Sequence, residues 1–434
     1  MKTWEEGYVS DPSSFATMHT QAVVILDGRA LRREDGSVDR ERVREWVGKA
    51  AGGFAPTRLR LMHSALGLTP PAWVPDERYD LDNHLIFAVE QSSLEGTDLS
   101  QLSGLALATL SPHRPLWRVL VTPLEDGDIA LGVTMHHAAG DALFTLKFLS
   151  ALTTKADTSS LKPTVDPLTS YRAPRNGAEL PLIALRKWKD EQTSLGSAWR
   201  GYWRRPFARR VKRAGGRIRQ AARRSGARLS NAKPVLLPVR NTDYRTMKSS
   251  EVSSRAAELG GTINDLLVAS AIRAARNTAE HVRVRVPVAI PRTADSAARN
   301  LVRDILVDGR TDAPLAESVL GVHAQLRAES SADDSSTRSS GVEIGYATVV
   351  PWLSRPRYFA GALIKEIIAF PTGLLADELS CQALLYNDKV TVVATTPRTS
   401  DASSVVDDLM RDLAGIGAVN DTGSRRQPES DEPS

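Results

Sequence analysis

TMHHAAGDALF, residues 134–144, sets two adjacent histidines ahead of an aspartate in a chain with only 8 histidines among 434 residues. The run before it, VLVTPLEDGDIALGVTM, reads as a hairpin turning at Asp126-Gly127. The run after it, DALFTLKFLSAL, reads as an apolar helix opened by Asp141. The motif therefore lies where a strand gives way to a helix, the commonest join in an α/β fold. Imidazole, with an ordinary pKa of about 6.5, is the side chain best suited to take a proton from a hydroxyl or amine near neutral pH. Neighbours on a strand point to opposite faces, so His136 and His137 cannot both meet one substrate. One is expected to work and the other to support it, with Asp141 as the helix N-cap. Two satisfied histidines and a cap would account for the same residues, and the stretch alone does not choose.

Composition narrows the classes. With 41% hydrophobic and 25% charged residues the chain reads as globular, and its length suggests two or three lobes, of which we favour two. Apolar runs are cut by Lys, Glu or Arg before the roughly 18 residues that a spanning helix needs. The opening MKTWEEGYVSDPSSF lacks the apolar core of a signal peptide, and the one cysteine, Cys381, has no internal disulfide partner. A cytoplasmic protein is expected. Cysteine and histidine spacing offers no structural zinc site, and no glycine-rich phosphate loop is present, so neither a metal nor a bound cofactor is expected.

The formal net charge of +5 is unevenly spread. Twelve basic residues and no acidic ones fall between Arg200 and Arg228, and without them the rest of the chain stands at about −7. Four regions follow. Residues 1–172 mix strands (QAVVILDG, WRVLVTPL) with an amphipathic helix at VDRERVREWVGKA. Residues 173–234 read as a basic linker or surface segment. Residues 235–418 form a second α/β lobe with a helix at TINDLLVASAIRAARN, a strand at RVRVPVAI and a polar loop at ESSADDSSTRSSG. Residues 419–434 are expected to be disordered.

The second lobe echoes the first. QALLYNDKVTVVATT reads as a hairpin at Asn387-Asp388, followed by Asp401-Ala402 opening a helix, and both features lie 260 residues beyond Gly127 and Asp141. Thr396 and Pro397 replace the histidines, so a true echo means one active site.

H-H-x-x-x-D, here His136, His137 and Asp141, resembles the signature of the acyltransferase superfamily that includes chloramphenicol acetyltransferase and peptide-synthetase condensation domains. RPLWRVLV (114–121), with Pro115, Leu116 and Trp117, and GGTINDLLVASAI (260–272), with Asn264 and Asp265, resemble two stretches of the bacterial wax ester synthase/diacylglycerol acyltransferase family. Weaker likenesses run through PAWVPDERYDLDNHL, RVRVPVAIPR and ALLYNDKVTVV, in the same order over nearly the whole chain. The resemblance implies an α/β, two-lobed chloramphenicol-acetyltransferase-like or condensation-domain-like fold with the active site in the cleft between lobes. It implies His137 as general base, His136 as its structural neighbour, and Asp141 in an ion pair with an arginine, for which Arg283 and Arg285 are the candidates. Pro115, Leu116 and Trp117 would lie near an acyl channel or in the core. Asn264 and Asp265 would serve as a helix cap, a cleft element or both.

Transfer of a long-chain acyl group from acyl-CoA, as substrate, to a hydroxylated lipidic acceptor is the activity implied. A stand-alone condensation enzyme with a carrier-protein donor, and a catalytically idle lipid- or partner-binding relative, are the alternatives. Ala142 stands where the family has glycine, and Val349-Val350-Pro351-Trp352 and Arg299-Asn300 depart from two family stretches. The arginines of residues 199–228 alternate with Trp199, Tyr202, Trp203, Phe207, Val211 and Ile218, a pattern suited to an anionic membrane or lipid-droplet surface. A place on the inner face of the membrane would follow. No nucleic-acid recognition motif accompanies the run, and no nucleic acid is expected.

Overall fold

A computed structural model describes residues 9, 15, 18–94, 98–102, 110–158, 160–161, 168, 173–191, 241–289, 302–329, 341–371, 378–397 and 399–415. The basic run at 199–228, the polar loop at 330–340, Arg299-Asn300 and the tail at 419–434 lie outside the described residues.

The described residues divide into two units. Those within Met1–Arg240, Val288–Arg303 and Pro356–Asp377 form the first; those within Asn241–Pro287, Asp304–Arg355 and Glu378–Ser434 form the second. In the first unit the strands are β1 (His19–Leu26), β2 (Leu59–Met62), β3 (Ala72–Pro75), β4 (Leu85–Phe87), β5 (Trp117–Pro123) and β6 (Ile129–His136). The second contributes β7 (Asn241–Lys248), β8 (His281–Ala289), β9 (Val302–Arg310) and β10 (Val342–Pro351). The chain continues with β11 (Tyr358–Phe359), β12 (Ala362–Phe370), β13 (Ser380–Tyr386) and β14 (Lys389–Thr396).

One six-stranded sheet has the order β11-β12-β1-β6-β5-β4; the other has β7-β14-β13-β10-β8-β9. β1 and β6 bury all eight of their residues, as central strands covered on both faces must. The helices are α1 (Arg40–Gly52), α2 (Asp98–Leu102), α3 (Ala142–Ala151) and α4 (Glu179–Glu191), then α5 (Ser249–Glu258), α6 (Ile263–Ala274), α7 (Leu315–Glu329) and α8 (Ala402–Ala414). α1 buries Val43, Val47 and Ala50, the face that its spacing predicts. Trp46 adds an indole N–H donated to Leu152 O at 2.7 Å. In the second unit α6 is buried from Asp265 to Ile272 and packs against α7 and α8.

Two boundaries need correction. The second lobe does not run unbroken over 235–418, because β12 leaves it to pair antiparallel with β1, Gln21 opposite Phe370 and Val23 opposite Ile368. Only a partner on that side satisfies the β1 edge opposite β6. Lys365 of β12 also reaches both carboxylate oxygens of the buried Asp128, at 2.6 and 2.7 Å. Second, the 173–234 segment is not all linker. Its first part holds α4, a thirteen-residue helix whose single proline, Pro181, falls in the first turn, where a missing N–H costs little.

The internal echo extends beyond the hairpins. β1 pairs antiparallel with β6, β6 antiparallel with β5, and β5 parallel with β4. β7, β14, β13 and β10 repeat those senses in the same order. The second turn is built from Asn387 and Asp388 at φ 47° and 61°, the left-handed pair that a tight hairpin requires. Asp141 and Asp401 cap α3 and α8 respectively. His136 pairs with His19, the first residue of β1, and Thr396 pairs with Asn241, the first residue of β7. Thr396 donates its hydroxyl to Ser400 O at 3.0 Å. The second copy has thus kept the scaffold and filled the histidine's place with a side chain satisfied locally.

Candidate active site

β6 carries the motif to its end. His136 is the last strand residue, and a tight turn follows, with Ala139 N–H donating to His136 O and Gly140 N–H to His137 O. Gly140 is required because a side chain there would meet the Phe144 ring and Cβ at 2.1 to 2.5 Å. Asp141, buried, then accepts Phe144 N–H at 2.8 Å and starts α3. Ala142 takes the first helical position, where alanine is well suited.

The two histidines part company here. His136 is fully buried. Its Nε2 lies 3.2 Å from Phe15 O, and Ala138 N–H points at its Nδ1 from 3.0 Å. A carbonyl only accepts and an amide only donates, so the proton sits on Nε2 and both ring nitrogens serve the backbone. The ring also packs against Phe15, with centroids 4.5 Å apart, and meets the edge of His19 at 5.2 Å. His137 is half-buried, and its N–H donates to Met18 O at 2.7 Å. The carbonyls of Phe15 and Met18 therefore fix the motif from the N-terminal side, a dependence that the motif alone did not disclose. Its trace in the sequence is the polar triplet His19-Thr20-Gln21 at the start of an otherwise apolar strand.

Burial holds the His136 imidazole well below its ordinary pKa range, with repulsion from His19 and His137 adding to the effect; burial lowers His84 as well. Unfolding returns both to about 6.5, so the unfolded chain binds more protons as pH falls past that value. Stability is level above about pH 6.5 and is lost below it. The melting temperature is expected to drop between pH 7 and pH 5, and to drop less steeply in His136→Gln. Parallel curves would show that His136 is not the group that resists charging.

The Pro-Leu-Trp stretch is core and scaffold. Leu116 O accepts His136 N–H at 3.0 Å, and Trp117 pairs with Met135. The buried Trp117 indole donates to Thr57 O at 2.9 Å. One face of the indole stacks on His84, centroids 4.7 Å apart, whose Nδ1–H donates to Trp117 O at 2.9 Å. Tyr79 also stacks on His84, with the Arg58 guanidinium over the Tyr79 ring at 4.8 Å. The edge of Trp117 meets Phe148 of α3 at 5.2 Å. This stack locks β5, and through it β6, against the helix that follows the motif. Pro115 is buried beside it.

In the second unit Thr262 caps α6, and Asp265 completes the capping box, accepting Thr262 N–H at 2.8 Å. His323 Nδ1 lies 2.7 Å from the same carboxylate. Asn264 Oδ1 accepts Val349 N–H at 3.1 Å, tying α6 to β10 within the Val-Val-Pro-Trp stretch. Both residues thus have positioning roles, and His323 is the partner that the sequence did not single out. Arg285 meets Glu343 at 2.8 Å and Glu378 at 2.5 Å, while Arg283 donates to Gly341 O at 3.1 Å. The expected pair of Asp141 with either arginine would join residues of different units.

Among the described residues no group of three or more His, Cys, Asp or Glu is placed to hold a metal ion. Cys381 is buried, and burial pushes its thiol up to about 12, far from nucleophilic.

Over residues 4–267 the sequence matches the model of the wax ester synthase/diacylglycerol acyltransferase catalytic domain. That span holds the histidine pair, the Pro-Leu-Trp stretch and Asn264-Asp265. The chain belongs to this family. A Mycobacterium tuberculosis protein named as a candidate diacylglycerol O-acyltransferase is 35% identical over 112 residues, covering 25% of this chain and 23% of that protein. A second from the same species, also named as a diacylglycerol O-acyltransferase with a reservation of its own, is 31% identical over 110 residues, 25% of this chain and 41% of that protein. The chain thus matches less than half the length of either relative. Its fold is that of the wax ester synthase/diacylglycerol acyltransferase from Marinobacter aquaeolei VT8, at TM-score 0.59 and 17% identity over 95% of this chain and 98% of the other. It is shared with the first condensation domain of the CDA synthetase, at TM-score 0.58 and 17% identity over 95% and 96%.

Proposed function

We propose that the protein transfers a long-chain acyl group from acyl-CoA to the hydroxyl of a long-chain alcohol or diacylglycerol, with His137 as general base. Membership of the wax ester synthase/diacylglycerol acyltransferase family supports the reaction class. The observation that carries the assignment of the base is the commitment of both His136 nitrogens to backbone groups, which leaves His137 as the motif imidazole suited to meet a substrate. The acceptor O–H proton passes to His137 as the oxygen attacks the thioester carbon. The tetrahedral intermediate collapses with cleavage of the C–S bond, and the imidazolium returns the proton to the leaving thiolate. General base catalysis supplies about a hundred- to ten-thousandfold; juxtaposing donor and acceptor accounts for much of the remainder.

Purified protein given labelled acyl-CoA with long-chain alcohols, diacylglycerol and amines tests the reading directly. Ester formed from CoA supports it. Product only from a carrier-bound thioester, or only with amines, replaces it with the condensation reading, and no product with any donor leaves an idle binding protein.

Asp141 is proposed to pair with Arg283 or Arg285. Asp141→Asn keeps a capping acceptor and removes only the charge, so it separates cap from ion pair. A double-mutant cycle with each arginine changed to methionine is expected to give a coupling energy above about 1 kcal/mol for one of them. Coupling near zero for both would leave Asp141 as a cap. Residues 199–228 are proposed to hold the enzyme at an anionic lipid surface, where water-insoluble acceptors reside.

A further inference from the structure

Nine large apolar side chains are exposed among the described residues, and five of them fall in two short segments, Leu66 and Leu68 in one, Leu182, Ile183 and Leu185 in the other. The second segment is the middle of α4. This helix buries Leu180, yet Leu182 and Leu185 are each 58% exposed and Arg186 beside them is exposed too. A helix on the surface of a water-soluble fold ordinarily turns such a stripe inward. The two segments belong to one piece of structure. Ala65 N–H donates to Gly177 O at 2.9 Å, just ahead of α4. Gly177 is needed there, since a Cβ would lie 2.2 Å from His63 O. Thr69 N–H closes the loop on Ser64 Oγ at 3.0 Å. Leu66 holds φ at 52°, a conformation that a leucine adopts only when its surroundings impose it, and its side chain is 78% exposed.

We propose that Leu66, Leu68, Leu182, Ile183 and Leu185 form a preformed apolar foot that inserts into the interface of an anionic lipid bilayer. Charge decides the occupant. Arg186, Lys187 and Lys189 follow the leucines in sequence, with Trp188 among them and Asp190-Glu191 after them, and from Arg200 to Arg228 twelve basic residues come without one acidic residue. Apolar side chains followed in sequence by this excess of cations match a surface with anionic headgroups above hydrocarbon. No helix among the described residues is long and apolar enough to cross a membrane. The inference rests on the peripheral-membrane reading above and adds the part of the fold that enters the lipid.

The test uses the full chain with an environment-sensitive dye on Leu66→Cys, Leu182→Cys or Val89→Cys; the native Cys381 is buried and unreactive. Vesicles are phosphatidylcholine alone or mixed equally with phosphatidylglycerol. With the anionic vesicles the dyes at 66 and 182 shift to the blue while that at 89, exposed but outside the foot, stays in water. The double variant Leu182→Ser, Leu185→Ser keeps the parental melting temperature and partitions about tenfold or more weaker. Protein that sediments with anionic vesicles while both foot dyes stay in water, or a double variant that partitions like the parent, overturns the foot and leaves the basic segment as the sole contact. Failure to sediment with either vesicle overturns both readings. A blue shift that grows with protein concentration without vesicles overturns it in favour of contact between copies.

Discussion

Replacing His137 by alanine is expected to lower acyl transfer by about a hundred- to ten-thousandfold and to leave the melting temperature close to that of the parent. The half-buried side chain is lost, but the main-chain bonds that shape the turn, His137 N–H to Met18 O and Gly140 N–H to His137 O, survive. His136→Ala is expected to show the opposite pattern. It strands the Phe15 carbonyl and the Ala138 amide at a buried position, costing about 1 to 3 kcal/mol for each group left unsatisfied. Its activity loss follows the lost stability and is relieved in part by His136→Gln. Initial rates with acyl-CoA and a long-chain alcohol, set beside melting curves of the same samples, separate the two. A well-folded His137→Ala enzyme turning over at the parental rate would remove this histidine from the mechanism.

Trp117→Ala should be the most damaging change to the fold, at about 3 to 5 kcal/mol. The indole is fully buried between His84 and Phe148, and its N–H is committed to Thr57 O. Truncation therefore opens a cavity, unstacks His84 and leaves a carbonyl without its donor. Trp117→Phe keeps the stacked face and loses the donor, so it should cost about 1 kcal/mol or a little more. Chemical denaturation distinguishes these values. An alanine variant within 1 kcal/mol of the parent would mean that the stack is not what locks β5 to α3. Because Leu116 O accepts His136 N–H, whatever loosens β5 also loosens the histidine strand.

Much of this arrangement can be read from local patterns. Apolar runs and the turn at Asp126-Gly127 located β1, β5 and β6, the 3.6-residue spacing found α1 and α6, and Asp141 and Asp401 announced the helices that they cap. Those signals arise from interactions within a few residues of one another. The shared topology of the two sheets was also foreshadowed, because hairpin turns and caps are local. What stayed hidden depends on partners distant in sequence. Phe15 and His136 meet across 121 residues, and His323 reaches Asp265 across 58. Nothing near His84 says that it will lie on an indole 33 residues away. The departure of β12 to the first sheet was missed for the same reason, since ALIKEIIAF would serve as a strand in either sheet and only the open side of β1 decides. α4 was missed differently: its exposed leucines and dense basic residues read as an excursion because they lack the buried stripe by which a helix is usually recognised.

That crossing strand governs the order in which the molecule can be made. A chain emerging from the ribosome displays β1, with Ala22-Val23-Val24-Ile25 at its centre, long before Phe370 is synthesised. During that interval the first sheet has an open apolar edge, the kind of template on which nascent chains adhere to one another. A fragment ending before β12 would keep that edge permanently. The histidine motif thus rests on a sheet that is completed only once residues 362–370 have been made.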